Sequence, residues 1–265
     1  MIPQTRSDPE PRWIERSEGP VSVIDVGRGP AVIALHGMPG STRDFRYLGA
    51  VVEGPLRLVR IDLPGFGLSP GDGGDAFDLD AAVRVVLDVM DALDIHRAAL
   101  LGHSFGGVIA TAVTAAAPER VLGLALLATP GLRPHQRVRG LLRLHPLFAV
   151  LLPRASTRRL AMPLLRRMWA RFGFPPAPDE VIVRSVLAPS RALFEEHAER
   201  LEQVDVPALV AWTEDDRLIE GDIPAEVGAI LPEGPRLVFA EGGHNLQKSH
   251  AVEIGESLVR WVPTL

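Results

Sequence analysis

Short, predominantly apolar runs recur along this chain between turn signals and longer stretches of helical periodicity. Residues 21–26 (VSVIDV) and Ala31–Leu35 (AVIAL) flank Gly27-Arg28-Gly29-Pro30 and read as two strands joined by a tight turn. Further runs lie at 56–61, 98–101, Val121–Leu127, 208–212 and 237–240. A strand with one wet face alternates polar and apolar residues, whereas a strand covered on both faces stays apolar throughout. Between the runs, residues 78–94 place Leu79, Ala82, Val83, Val86, Val89, Met90 and Leu93 at three-to-four spacing with acids in the gaps. That pattern predicts an amphipathic helix, with Asp78 or Asp80 to cap its start. Residues 108–117 predict a small-residue helix stopped by Pro118, and 251–261 a final helix. Apolar strands alternating with helices imply an α/β fold, a mostly parallel sheet covered on both sides.

The alternation fails from about 131 to 203, where helical patterns and prolines occur without a good strand. Residues 131–175 hold ten arginines and no Asp or Glu, leaving 18 basic against 33 acidic residues elsewhere. A shift of this kind marks a segment with a separate task. We expect a core domain of 1–130 and 204–265, with 131–203 inserted as a helical cap over the carboxyl ends of the strands.

Composition limits the chemistry. At 265 residues and 46% hydrophobic the chain is long enough for a substantial core, and global disorder is excluded. The absence of cysteine removes thiol catalysis, thiolate metal sites and disulfides. A net charge of -5 argues against a nucleic-acid partner. The N-terminus lacks an apolar signal region, and no apolar stretch approaches the roughly 20 residues of a membrane span. The chain is read as soluble and cytoplasmic, without stable membrane insertion.

Gly102-His103-Ser104-Phe105-Gly106 follows a predicted strand and precedes a predicted helix. G-x-S-x-G in that setting is a nucleophile elbow, a sharp turn that raises the serine above the sheet. A serine hydroxyl is a weak nucleophile and needs a base, usually a histidine oriented by a carboxylate. Among the eight histidines, His244 lies in a loop after the last strand, at the same sheet edge as Ser104. His36 and His103 sit in tight Gly motifs and are read as shaping turns. The acid should follow a strand at that edge, where Asp216 is the first choice and Asp215 the second. Donors for an oxyanion would be the N–H groups of Phe105, at the helix start, and Met38, in the loop after Ala31–Leu35. Asp62, in a Gly/Pro turn, is read as structural.

HGMPG at 36–40, DLPGFGLS at 62–69, GHSFGG at 102–107, TEDD at 213–216 and GGHN at 242–245 resemble the cap-bearing branch of the α/β-hydrolase superfamily. The resemblance covers about residues 20–130 and 205–262. It implies an eight-stranded, mostly parallel sheet with the cap after the sixth strand, and a triad needing no cofactor or metal. It makes Ser104 the nucleophile, His244 the base, Asp216 the orienting acid, and Met38 and Phe105 the carriers of the oxyanion-hole amides. Thr213 departs from the pattern, since relatives more often have glycine there, and this keeps Asp215 in view. Serine at 104 argues against the epoxide hydrolase and haloalkane dehalogenase branches, which use aspartate at that position.

The expected activity is a serine hydrolase acting on a small, mainly apolar ester. The alternatives are carbon–carbon hydrolysis of a vinylogous diketone acid, lactone hydrolysis or perhydrolysis. A ligand receptor with little turnover is the reading from a different class. Met168, Trp169, Phe172 and Phe174 are candidates to line an acyl or aromatic pocket, or simply to form the cap's own core. The cap arginines are a solvated face balanced by acids on the core, binders of a substrate carboxylate or phosphate, or, with Leu141, Leu142, Leu144, Leu147 and Phe148 nearby, a face drawn to an anionic lipid surface. The partner is a small molecule, and a homo-oligomer is compatible with this reading.

Overall fold

A computed structural model of the chain describes residues 8–71 and 77–265, except for the side chain of Arg191. The first seven residues of the polar N-terminal stretch lie outside it. Eight strands, β1 (Arg12–Ile14), β2 (Val21–Gly27), β3 (Ala31–Leu35), β4 (Arg57–Ile61), β5 (Ala98–His103), β6 (Val121–Leu127), β7 (Ala208–Thr213) and β8 (Arg236–Phe239), form one sheet. Their order is β1-β2-β4-β3-β5-β6-β7-β8. β1 and β2 pair antiparallel, as do β2 and β4, and every other pairing is parallel. β2 and β3 are joined by a turn but are not neighbours, because β4 lies between them.

On the sheet faces lie α1 (Arg46–Val52), α2 (Leu79–Ala92) and α3 (Phe105–Ala116). β5 is buried at every position, as its unbroken apolar run requires. One core cluster joins α2 and α3 to the sheet through Ile33, Leu100, Val86 and Ile109. A second covers the opposite face through Val32, Leu101, Leu48 and Leu258. Fully burying one such aliphatic side chain contributes roughly 1.5–3 kcal/mol before chain entropy is charged against it.

Between β6 and β7 the chain forms α4 (Gln136–Leu151), α5 (Ala155–Arg171), α6 (Asp179–Leu187) and α7 (Arg191–Glu202). The first three share a small cluster of their own, with Phe148, Leu165, Trp169 and Ile182. α7 packs instead against α3, and Leu201 at its end belongs to the main core. The chain closes with α8 (Asp222–Ile230), α9 (Leu246–Ser249) and α10 (Ala251–Trp261). No helix among the described residues is long and apolar enough to cross a membrane.

Candidate active site

Parallel register decides where the candidate residues go. Leu35 pairs with Gly102, His103 with Leu127, Leu127 with Ala211, and Thr213 with Phe239. The loops that follow β3, β5, β7 and β8 therefore leave the sheet at one edge, and they carry Met38, Ser104, Asp216 and His244.

Ser104 sits between β5 and α3 at φ 52° and ψ −122°. Only a few per cent of non-glycine residues adopt positive φ, and holding one there takes about 1–3 kcal/mol from the surrounding structure. The turn is held by Ser104 N–H donating to Leu127 O (2.9 Å) and Gly107 N–H donating to Ser104 O (2.9 Å). Glycine at 106 is required by close approach: a Cβ there would collide with the carbonyl oxygens of Leu35 and His36. Phe105 opens α3, so its N–H has no carbonyl one turn earlier to bond.

His244 Nδ1 lies 2.8 Å from Asp216 Oδ2. A carboxylate only accepts, so Nδ1 carries the proton and the Nε2 lone pair is left to act as a base. Asp216 Oδ1 accepts the N–H groups of Leu218 (2.7 Å) and Ile219 (3.2 Å). Burial alone would raise the Asp216 pKa, but the hydrogen bond and charge of His244 and the two amides together hold it below the ordinary aspartate value. Asp215 faces elsewhere: its Oδ1 accepts Gly243 N–H at 2.8 Å. Thr213, at the departure from the usual glycine, donates its hydroxyl to Gly243 O at 3.1 Å. Both residues tether the loop that carries His244.

Ser104 and His244 line one pocket together with Asp44, Asn245 and Lys248. The Ser104 hydroxyl makes no hydrogen bond among the described residues. Nucleophile–base contacts of this type commonly tighten only around substrate. On its other side Ser104 lines a mainly apolar cavity with Met38, Phe105, Leu141, Leu165, Leu218 and Ile219. The sequence-predicted pocket residues Met168, Trp169, Phe172 and Phe174 all line this cavity. Trp169 serves both readings of that group, since it also belongs to the insertion's small core and donates Nε1–H to Pro175 O at 2.7 Å.

Asp62 accepts Thr42 N–H (2.7 Å) and Leu68 N–H (3.0 Å), the bonds of a structural loop anchor. His36 Nδ1 lies 2.7 Å from Gly37 O, and its Nε2 accepts Leu63 N–H at 3.1 Å, so it clamps two loops. The reading of His103 as a turn-shaping residue was incomplete. Its Nε2 reaches His244 O at 2.8 Å and the two rings sit 4.9 Å apart, so it also anchors the candidate base. Burial first, then the neighbouring His244, push its pKa down to about 3. Lys248, paired with Asp44 at 2.6 Å, was not anticipated either. Single charges so far apart in the chain give no sequence signal of such a pairing. Among the described residues no cluster of His, Asp and Glu is arranged to hold a metal ion.

Several likenesses bear on this arrangement. The family described as the alpha/beta hydrolase fold matches residues 30–251. The chain is 32% identical over 260 residues to the 2-hydroxy-6-oxononadienedioate/2-hydroxy-6-oxononatrienedioate hydrolase of Paraburkholderia phymatum, covering 89% of this chain and 88% of that protein. It is 29% identical over 245 residues to the dihydrolipoyllysine-residue acetyltransferase component of the acetoin cleaving system of Pseudomonas putida, covering 88% of this chain but 64% of that longer protein. In structure it resembles a meta-cleavage product hydrolase from Pseudomonas fluorescens, with a TM-score of 0.72 at 21% identity over 94% of this chain and 96% of the other. Fold, motifs and relatives agree: the chain belongs to the α/β-hydrolase fold family and is a hydrolase.

Proposed function

We propose that this protein hydrolyses a small, mainly apolar ester through Ser104, His244 and Asp216. The observation that carries the reading is the 2.8 Å pairing of His244 Nδ1 with Asp216 at the sheet edge where Ser104 opens onto an apolar cavity. His244 Nε2 takes the hydroxyl proton as Ser104 Oγ attacks the carbonyl. The N–H groups of Met38 and Phe105 hold the oxyanion. His244 then gives the proton to the departing alkoxide, leaving an acyl-serine. Water, deprotonated by the same ring, releases the acid and restores the hydroxyl. Residues 131–203 act as the cap that roofs the cavity, and Met168, Trp169 and Phe172 bind the acyl group.

A second reading is carbon–carbon hydrolysis of a vinylogous diketone acid. It is favoured by the 32% identity to a hydrolase named for such compounds. The two separate when p-nitrophenyl acetate and butyrate are assayed beside a meta-cleavage dienoate. We expect ester turnover that falls at least about a thousandfold in Ser104→Ala, and labelling of Ser104 by a fluorophosphonate. Turnover of the dienoate alone would move the assignment to the second reading. Tight ligand binding with neither turnover nor labelling would make the protein a receptor.

A further inference from the structure

The apolar cavity beside Ser104 is not uniformly apolar. Among its described lining residues Arg137 is the only one with a permanent charge, and the cap residues His135 and Ser185 are polar. Arg137 is exposed while lining the cavity, which places it at the rim. Its guanidinium has no ion pair or hydrogen bond among the described residues. Two nearby arginines of the insertion are occupied, since Arg133 pairs with Asp222 and Glu226, and Arg166 with Asp179.

His135 Nδ1 and Ser185 Oγ are both buried without a hydrogen-bond partner. Buried polar atoms are satisfied in the great majority of native structures, so the orphaned Ser185 hydroxyl lining this cavity calls for a ligand group to accept its proton. Burial holds His135 near pKa 4, so the ring is neutral at pH 7; its one N–H faces the Leu218 carbonyl, and it brings no second charge to the cavity. The start of α4 itself is already occupied, because Gln136 N–H donates to Glu220 at 2.9 Å. The vacancy in bonding belongs to the side chains.

We infer that Arg137 and Ser185 form a carboxylate-recognition subsite within the acyl cavity, so that the substrate is an acyl compound bearing a second, free carboxylate. This rests on the hydrolase reading above and narrows its substrate class. Arginine suits the task because its planar fork matches the two carboxylate oxygens. The surrounding apolar walls then bind the methylene or unsaturated chain between that carboxylate and the reacting carbonyl.

The test compares p-nitrophenyl hydrogen glutarate with p-nitrophenyl pentanoate at pH 7. The two have acyl chains of equal length and differ in the terminal carboxylate. The readout is the ratio of kcat/KM for the acid to that for the neutral ester. We expect wild type to favour the acid, and Arg137→Gln to lower the ratio about fivefold, mainly through KM for the acid. Arg137→Lys should recover part of the ratio, and Ser185→Ala should lower it about threefold. Arg143→Gln, which removes an equal charge from α4 outside this cavity, should leave the ratio at the wild-type value. A ratio unchanged by Arg137→Gln, or changed equally by Arg143→Gln, overturns the subsite.

Binding separates this from failure of the hydrolase reading. In a Ser104→Ala background, calorimetric titration should give tighter binding of the acid than of the neutral ester, with the difference lost on adding Arg137→Gln. If wild type turns over neither ester, the titration still decides the subsite. Equal binding of the two esters rejects it.

Discussion

His103 and Ser104 are adjacent in sequence, yet they face different tasks. The serine is carried over the sheet by its positive φ, while the histidine holds the backbone of the residue expected to deprotonate it. His103 Nε2 must carry a proton, because its neighbour is a carbonyl oxygen, and burial keeps the ring neutral. In His103→Phe we expect kcat for ester hydrolysis to fall about tenfold with KM little changed, since a misplaced base slows chemistry more than binding. The acid limb of the pH–kcat profile should shift too, because the ring beside His244 no longer carries a dipole. An unchanged profile and kcat would leave His103 a packing residue. Asp216→Asn should cost more, on the order of a thousandfold or greater in kcat, because the amide no longer holds Nδ1–H toward itself. At this scale the candidates could be named in advance, because Ser104, Asp216 and His244 stand in motifs that follow strands, and the structure pairs His244 with Asp216. Arg137 and Ser185 could not, because what lines a cavity depends on how α4 and α6 pack over the core.

Elements built from burial on both faces were the most legible. The run at Val121–Leu127 is strand β6 over those same bounds, and the final helix spans Ala251–Trp261 as its periodicity requires. β1 left no trace in the pattern: it has three residues at the sheet edge, and only Ile14 is buried. The pairing of β2 with β4 was hidden for a different reason. A turn between two strands fixes their connection, whereas the neighbour that intervenes is chosen by the packing of the whole sheet. The start of α2 is local and was readable: Asp78 Oδ1 accepts the N–H groups of Asp80 (2.9 Å) and Ala81 (3.2 Å). Asp78→Ala should lower stability by about 1 kcal/mol in urea titration. The elbow is less forgiving. In Gly106→Ala the added methyl meets backbone carbonyls, which cannot swing aside as a side chain would. We expect a loss of about 2 kcal/mol or more, seen as a lower urea midpoint at unchanged m-value. An unaltered midpoint would mean that β3 and α3 can separate without penalty.

Across the whole molecule, the histidines couple the fold to pH. Burial is the largest influence on His103, His135 and His197, and it pushes them down to about 3, 4 and 4 from an ordinary value near 6.5. His197 ties α7 to the loop after β6 through Nε2 and Pro130 O at 2.9 Å, and nearby Arg200 further disfavours its charged form. Unfolding exposes all three rings to water. Below about pH 6.5 the unfolded chain therefore binds protons that the native chain refuses, and linkage makes stability fall with pH. The stabilisation is fully present above the unfolded value and is lost progressively as pH drops toward 4. Asp216, held below its ordinary value, adds its own loss only at lower pH, as its carboxylate is protonated. Calorimetry at pH 7, 6 and 5 should show Tm declining across this window, before most carboxylates titrate. His197 offers a clean probe because it lies outside the candidate triad and the acyl cavity. His197→Gln keeps an N–H donor for Pro130 O and removes one titrating ring, so its Tm should decline less steeply than that of wild type even if its value at pH 7 is lower. Parallel declines in the two proteins would show that His197 is free to take up a proton in the folded state, and that α7 opens at its base more readily than its burial implies.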